Sequence, residues 1–223
     1  MELARALCIR PGVTAVIGGG GKTSLLRALG AELSAHARVI LCTTTHILPE
    51  PELPCVCLPS REAVDAALDA HPCILVGTPA EQGKLKAPGL SFPVLQELAD
   101  FVIVEADGSR HRPVKAHAAH EPVIPPEANQ TILVIGASAF EQPIASAVHR
   151  PELLCRWRGV SEDTLLTPSL ISDYVNFESL HTRVLINQAE SPRRRRLAKE
   201  LAGRLKTPVC MASLQEGWIT CLY

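Results

Sequence analysis

The sequence predicts an α/β fold in which a largely parallel β-sheet is flanked by helices. Short apolar runs rich in β-branched residues alternate along the chain with longer segments of helical periodicity. Most of these runs are apolar throughout, as in parallel strands that are buried on both faces. Hydrophobic residues make up 47% of the 223 residues and charged residues 20%, which is typical of globular proteins. We therefore expect a single domain over residues 1–223.

The individual elements follow from the same pattern. The predicted strands cover residues 14–17, 38–43, 55–58, 73–76, 101–105, 131–135, 183–187 and 208–211. The predicted helices cover residues 22–35, 61–70, 93–99 and 192–205. Ser191 and Pro192 form a favourable N-cap and first-turn pair for the last of these helices. Between residues 141 and 178 the periodicity is poor and prolines interrupt it, so short helices are expected there.

The charge balance indicates which partners to expect. The chain has 22 basic and 23 acidic side chains and a net charge of −1, so we expect neither nucleic acid nor a membrane as a partner. No run approaches the roughly 18 apolar residues that cross a bilayer, and residues 1–11 lack the apolar core of a secretory signal. A cytoplasmic location is the expectation, with the eight cysteines reduced and mostly structural.

A glycine-rich segment between the first predicted strand and the first predicted helix carries the main functional signal. It reads Gly18-Gly19-Gly20-Gly21-Lys22-Thr23-Ser24. Consecutive glycines let backbone N–H groups converge on an anion, and a helix start adds free N–H donors and a positive dipole. Lys22 is expected to reach the terminal phosphates of a nucleotide, and the Thr23 hydroxyl to bind Mg²⁺. The segment predicts a three-layer P-loop NTPase-like domain that binds ATP or GTP with Mg²⁺.

The match of this segment to the usual phosphate-loop pattern, G-x-x-x-x-G-K-[ST], is incomplete. The position six before Lys22 is Val16 instead of glycine, so the loop is short. A tight glycine turn between a strand and a helix, without a phosphate, is the alternative interpretation.

An acidic strand end follows at residues 101–105, where an apolar strand finishes in Glu105 and Asp107 comes two residues later. In phosphate-loop enzymes the strand beside the loop ends in an acid that holds Mg²⁺ or orients the attacking water. Side chains two apart on an extended chain share a face, so both carboxylates are expected to face the metal. Lys22, Glu105 and Asp107 are therefore the predicted catalytic residues, and Thr23 shares the predicted metal site with both acids. A solvated strand end is the alternative.

Two other strand ends carry polar side chains. Residues 43–45 are three threonines after a buried strand, where the ligand crevice of an open α/β sheet lies, and Thr45 is predicted to join the metal site. The alternative is that threonine simply favours strands. Asn187 and Glu190 are spaced as in a degenerate Asn-Lys-x-Asp motif, so both are predicted to contact the nucleotide base. A strand-to-loop turn is the alternative for this pair.

A basic segment follows the acidic strand end. It contains Arg110, His111, Arg112, Lys115, His117 and His120, with prolines nearby. Cations and prolines without periodicity predict an ordered surface loop that contacts an anionic substrate, or equally a solvated loop. Metal binding by the three histidines is a further alternative.

These motifs together resemble a known family. The glycine segment, residues 43–46, and residues 105–110 with Pro113, Lys115 and Glu121 look like the selenium-dependent molybdenum hydroxylase accessory protein family, also called YqeC. More distantly, Glu105, Gly108 and Asn187 resemble metallochaperone GTPases. The resemblance implies a role in maturing a molybdenum hydroxylase, with a client molybdenum hydroxylase or a cofactor-handling protein as partner and selenium or a molybdopterin cofactor as cargo.

Three hypotheses about activity remain open at this point. The first is a Mg²⁺-dependent nucleoside triphosphatase that acts as a maturation factor. The second is an ATP-dependent kinase or ligase acting on a small anionic substrate, because short glycine loops ending in Gly-Lys-Thr also occur in cell-wall amino-acid ligases. The third is a nucleotide-dependent binding module that does not hydrolyse its ligand.

Overall fold

Nine strands form the central sheet of the computed structural model, which describes residues 2–222. In chain order they are β1 (Gly12–Gly18), β2 (Val39–Thr43), β3 (Cys55–Val56), β4 (Cys73–Val76), β5 (Phe101–Glu105), β6 (Ala128–Gly136), β7 (Arg183–Asn187), β8 (Val209–Ser213) and β9 (Trp218–Cys221). The order across the sheet is β9-β8-β7-β6-β1-β5-β2-β4-β3. All neighbours are parallel except β8 and β9. The predicted α/β fold with a largely parallel sheet is confirmed.

Within residues 2–222, eight α-helices precede or lie between these strands. They are α1 (Leu3–Ala6), α2 (Lys22–Leu33), α3 (Arg61–Ala70), α4 (Phe92–Leu98), α5 (Ile144–Ala147), α6 (Pro151–Arg158), α7 (Pro168–Glu178) and α8 (Pro192–Ala202). The predicted N-cap of α8 is present, because the Ser191 hydroxyl accepts a hydrogen bond from the Arg194 N–H at 3.2 Å. None of the helices within residues 2–222 has the length and hydrophobicity that a bilayer span requires.

The helices pack on both faces of the sheet and give three layers. On one face, α1 and α2 bury leucines such as Leu25 and Leu29 against Val16 and Ile103 of the sheet. On the other face, α3 and α4 pack over one half of the sheet, and α5 to α8 pack over the other half. Alternate residues of β1 and β5 point into opposite layers, which explains why these strands are predominantly apolar.

The short helices expected between residues 141 and 178 are present. Three helices lie there, and α7 is longer than expected, with 11 residues. Pro168 occupies the first turn of α7, where proline is tolerated because the helix start lacks an intrahelical N–H bond in any case. The Thr167 hydroxyl caps this helix by accepting from the Leu170 N–H. The proline therefore begins a helix instead of interrupting one.

Two small elements border the carboxyl ends of the central strands. His46–Ile47, Leu85–Lys86 and Thr78–Pro79 form a three-stranded antiparallel sheet. Val114–Lys115 pairs in parallel with Val148–His149. Neither pairing was predicted, because two-residue strands leave no periodicity in the sequence. Both elements contribute walls to the candidate site.

Candidate functional site

The glycine-rich loop is short and takes a backbone conformation that suits glycine. β1 extends to Gly18 and α2 begins at Lys22, so three residues connect them. Gly18, Gly20 and Gly21 have φ values of +94°, +73° and +113°, in the left-handed region. Val16 lies inside β1, paired with Glu105 and buried, which accounts for its departure from the usual loop pattern.

Close packing also requires the glycines. A Cβ at Gly19 would lie 2.3 Å from the Arg112 carbonyl oxygen, and one at Gly20 would lie 2.2 Å from the Gly136 nitrogen. The Gly19 N–H donates to the Val134 carbonyl at 2.9 Å, and the Gly20 N–H donates to the Arg112 carbonyl at 3.3 Å. These contacts hold the loop rigidly between β6 and the segment that follows β5.

The loop leads into the N-terminus of α2, which has no side-chain cap because its N-cap residue is Gly21. The first N–H groups of a helix have no intrahelical partner, and the helix dipole makes this end positive. Lys22, Thr23 and Ser24 contribute these N–H groups, and all three line an open cleft. The arrangement is suited to an anion such as a phosphate group.

Lys22 lies at the base of this cleft and is 4% exposed. Its Nζ donates to the Gly18 carbonyl oxygen at 2.7 Å and lies 3.4 Å from the Ser109 hydroxyl. The same atom is 3.1 Å from Asp107 Oδ1 and 3.8 Å from Glu105 Oε1. The structure thus brings the three predicted catalytic residues together around one ammonium group.

Glu105 ends β5 and contacts the start of α2. The Thr23 hydroxyl donates to Glu105 Oε2 at 2.9 Å. Burial raises the pKa of Glu105, opposed by the Lys22 charge and the Thr23 hydrogen bond. The Thr43 hydroxyl donates to the Glu105 carbonyl at 2.8 Å and so helps to hold the end of β5 in place. Thr45 lines the cleft, as Glu105 does. A threonine hydroxyl and carboxylate oxygens form the donor set that Mg²⁺ prefers.

Asp107 is fully buried beneath the cleft. It accepts hydrogen bonds from the Gly18 N–H at 2.8 Å and from His117 Nε2 at 2.8 Å, and Lys115 Nζ lies 3.7 Å away. Burial on its own would raise the pKa of Asp107, but the His117 hydrogen bond and the charges of Lys22 and Lys115 outweigh it and the pKa is lowered. Asp107 therefore remains a carboxylate that positions the glycine loop and Lys22, and it does not face the cleft as Glu105 does.

His117 extends this network to α7. Its Nδ1 lies 2.9 Å from Glu178 Oε2, and its backbone N–H donates to Glu178 Oε1 at 2.8 Å. Burial opposes protonation of the ring, but Asp107 and Glu178 outweigh it, so the pKa of His117 is raised. The sequence indicates His117 as a candidate but not Glu178, which is 61 residues distant along the chain.

The histidines of the basic segment are not arranged to bind a metal ion together in the described residues. Within residues 2–222, no group of three or more His, Cys, Asp or Glu side chains is placed to hold a metal ion. His117 lies between two carboxylates, while His111 is exposed at the cleft. The cysteines, all of them in the described part of the chain, are free thiols.

Asn187 and Glu190 are placed differently from the other predicted site residues. The Asn187 amide donates to the Gly20 carbonyl at 2.8 Å, and its oxygen accepts from the Leu214 N–H at 3.0 Å. Glu190 accepts from Ser213 and pairs with Arg194 at 3.0 Å. Neither residue lines the cleft, so in this structure Asn187 braces the glycine loop and Glu190 connects β8 to α8.

The cleft above the glycine loop has a volume of about 1180 Å³. Its lining includes Gly20, Gly21, Lys22, Thr23, Ser24, Thr45, His46, Leu48, Lys84, Glu105, Ser109, Arg110, His111, Arg112, Glu121, His149, Arg150 and Gln188. Sequence reasoning missed the residues from 148 to 150 and Lys84. The only sequence signal for residues 148 to 150 was the basic pair His149 and Arg150 before Pro151, which is too weak to predict a site.

Comparison of the sequence with known proteins identifies the family of this chain. The model of the family described as YqeC protein matches residues 14–152, which include the glycine loop, Glu105, Asp107 and Arg150. The YqeC protein of Escherichia coli (strain K12) is 34% identical to the chain over 166 residues, which cover 71% of the chain and 63% of that protein. The chain thus spans less than two thirds of the length of this relative. On this evidence the chain belongs to the YqeC family.

Proposed function

We propose that the protein binds a nucleoside triphosphate together with Mg²⁺ in this cleft and hydrolyses it. The observation that carries the proposal is the 2.9 Å hydrogen bond from Thr23 to Glu105 at the uncapped start of α2, directly beside Lys22. It joins the uncapped start of α2 to the acidic end of β5, across the adjacent strands β1 and β5. This is the arrangement by which phosphate-loop proteins hold a metal and a nucleotide together.

The chain's residues fit Mg²⁺ by their chemistry. Mg²⁺ takes oxygen ligands and is usually bound through one or two carboxylates plus substrate phosphates. Thr23 and Glu105 would hold it, with Thr45 lining the same part of the cleft. Burial raises the pKa of Glu105. A cation bound beside this carboxylate would oppose that effect and favour the charged form. When bound, the ion would neutralise the negative charge of the phosphate oxygens.

The phosphates would be held by the backbone N–H groups of residues 22–24 and by Lys22. The Lys22 ammonium has three N–H donors; it donates to the Gly18 carbonyl and the Ser109 hydroxyl and forms an ion pair with Asp107 Oδ1 at 3.1 Å. A phosphate oxygen is a strong acceptor, so Lys22 can turn one donor to it while it stays near Asp107. Asp107 thereby acts as a positioning residue for the loop and the lysine.

Hydrolysis would depend on Glu105 more than on Asp107. Glu105 lines the cleft and accepts a hydrogen bond from Thr23, whereas Asp107 is fully buried and already contacts four protein groups. Glu105 is therefore the group that can orient an attacking water. The nucleotide is ATP or GTP, and no contact from Asn187 or Glu190 to the cleft favours one base.

The cellular role we propose is that of an accessory factor in the maturation of a molybdenum hydroxylase, in which hydrolysis serves cofactor or selenium insertion. The resemblance of the loop, threonine and acidic motifs to the accessory protein family supports this role. The expected partner is the client enzyme or a protein that handles its cofactor.

Phosphate release from ATP and from GTP, measured with Mg²⁺ and with EDTA, tests the proposed hydrolysis. We expect Mg²⁺-dependent release that falls by about 100-fold or more in Glu105→Gln, as for loss of a general base. Thr23→Ser keeps the hydroxyl and serves as the control. Release that occurs only with an added small anionic acceptor would favour a kinase or ligase instead. Slow release that a client molybdenum hydroxylase leaves unchanged would favour a binding module.

A further inference from the structure

The cleft is larger than the glycine loop needs, and another part of its wall is rich in cationic side chains. Two segments form this basic wall, residues 109–112 and residues 148–150. The side chains concerned are Arg110, His111, Arg112, His149 and Arg150. The proposed function above does not use any of them.

Buried contacts hold the basic wall in place. Val114–Lys115 pairs with Val148–His149, and the Ala116 N–H donates to the His149 carbonyl at 3.0 Å. Beneath the wall, Glu121 Oε2 lies 3.0 Å from the buried Lys115 ammonium and accepts a hydrogen bond from Arg150 Nε at 3.1 Å. The Arg112 guanidinium donates to the Ser146 carbonyl. The backbone of the basic wall and the side chains of Arg112 and Arg150 are therefore held by contacts within the fold.

Positive charge exceeds negative charge at this wall. Glu121 is one carboxylate shared between Lys115 and Arg150, and Glu152 is a second carboxylate at this side of the cleft, against the cations of Arg110, Arg112, Lys115 and Arg150. Arg110 forms no ion pair in the described part of the chain, residues 2–222. Burial lowers the pKa of His149, and the charges of Lys115, Arg150 and Arg110 lower it further, opposed only by Glu121. An unbalanced positive field in a cleft attracts anions.

The backbone at the basic wall is strained. Arg110, His111 and Arg150 have φ values of +48°, +61° and +62°. Residues other than glycine seldom adopt this left-handed region, and such strain concentrates where a side chain must be aimed at a ligand. Two neighbouring residues in this conformation turn the 109–112 segment toward the cleft.

The basic wall is continuous with the glycine loop. The Arg112 carbonyl accepts from the Gly20 N–H at 3.3 Å, and the Ser109 hydroxyl lies 3.4 Å from Lys22 Nζ. We propose that Arg110, Arg150 and His149 bind the oxyanion, a phosphate or carboxylate group, of a second small-molecule ligand beside the nucleotide. The position of this ligand next to a terminal phosphate depends on the proposed function, but the anion site itself does not.

Inorganic phosphate is the probe that tests this site. Its binding is measured by calorimetry in the presence of a saturating, non-hydrolysable Mg²⁺–triphosphate analogue, so that the glycine loop is blocked. NMR of the His149 ring gives a second readout, because a bound anion offsets the surrounding cations and raises the pKa of His149. We expect phosphate to bind under these conditions and the His149 titration to move to higher pH.

Two variants make the test specific. Arg110→Gln should weaken phosphate binding by about tenfold, the effect of losing one charge-assisted hydrogen bond. Arg10→Gln, which removes an exposed arginine away from the cleft, should leave it unchanged. Absence of phosphate binding, displacement of phosphate by the triphosphate analogue, or equal affinity in Arg110→Gln would overturn the proposal. If no nucleotide binds, the proposed function fails, whereas the comparison of phosphate binding between the wild type and Arg110→Gln, together with the His149 titration, still reports on the basic wall.

Discussion

The Thr23 hydroxyl donates a 2.9 Å hydrogen bond to the Glu105 carboxylate, joining two residues that are 82 positions apart in the sequence. The bond connects the start of α2 to the end of β5. It also fixes both oxygen groups at the cleft next to Lys22. If these oxygens hold Mg²⁺ for a bound triphosphate, the hydroxyl should matter for binding in a way that depends on the metal.

The first prediction concerns the hydroxyl of Thr23. Thr23→Val keeps the side-chain shape and removes the hydroxyl, so triphosphate affinity in Mg²⁺ should fall by at least about tenfold. Affinity in EDTA should change little, because the metal is then absent in both proteins. Thr23→Ser should behave as the wild type. Calorimetric titration with and without Mg²⁺ provides the comparison, and an equal loss in EDTA would count against a metal role.

The second prediction concerns the packing of the glycine loop. Gly20 and Gly159 have nearly equal φ values of +73° and +72°, but a Cβ at Gly20 meets the Gly136 backbone whereas one at Gly159 meets nothing within 4 Å. Gly159→Ala should therefore cost only the left-handed strain, about 1–2 kcal/mol of unfolding free energy. Gly20→Ala should cost about 2–5 kcal/mol, because overpacking adds to that strain. Urea denaturation of both variants measures the difference, and similar losses would show that the loop relaxes freely.

The third prediction concerns pH and His117. The pKa of His117 is raised above 6.5 in the folded protein by Asp107 and Glu178, despite its burial. Its contribution to stability is therefore complete below about pH 6.5 and is lost as pH rises through the raised pKa. The lowered pKa of Asp107 acts at the other end, since its contribution is lost as pH falls toward that value.

Unfolding free energies at several pH values, for the wild type and His117→Gln, test this expectation. The wild type should lose stability from pH 6.5 upward, and the variant should lose less over the same interval. Parallel pH profiles for the two proteins would mean that His117 is not protonated between its two carboxylates.

The fourth prediction concerns Asn187, which is 5% exposed and bridges the Gly20 carbonyl and the Leu214 N–H. Asn187→Ala leaves both backbone groups without this partner and should lower the unfolding free energy by about 1–3 kcal/mol. Because the residue braces the loop, affinities for ATP and GTP should fall by the same factor. A selective loss of GTP affinity would instead indicate that Asn187 recognises guanine.

Much of the fold could be predicted because local patterns determine it. Buried parallel strands such as residues 101–105 are apolar up to the final Glu105, and the Ser191 cap marks the start of α8. The strand, glycine turn and helix that surround Lys22 are consecutive in the chain, so their order indicates their shape. The short strand Trp218–Cys221 and the helix Leu3–Ala6 could not be found in this way, because four residues do not establish a period.

The site could be predicted only where neighbours in sequence are neighbours in space. Glu105 and Asp107 were predicted to face a metal together, but the chain turns after β5 and buries Asp107 against His117. Glu178 and Arg150 reach this region through α7 and the Val148–His149 strand. Their positions depend on long-range packing that no local pattern records.

Calorimetric titration of ATP and GTP, each with Mg²⁺, into the wild type and Lys22→Ala is the most direct test of nucleotide binding at the glycine loop. Because Lys22 is buried among carboxylates, the titration should be made well below the melting temperature of the variant, with circular dichroism confirming its fold. We predict saturable binding of at least one triphosphate to the wild type and a loss of about 100-fold or more in the variant. Absence of binding to the wild type, or equal affinity in the folded variant, would contradict the account.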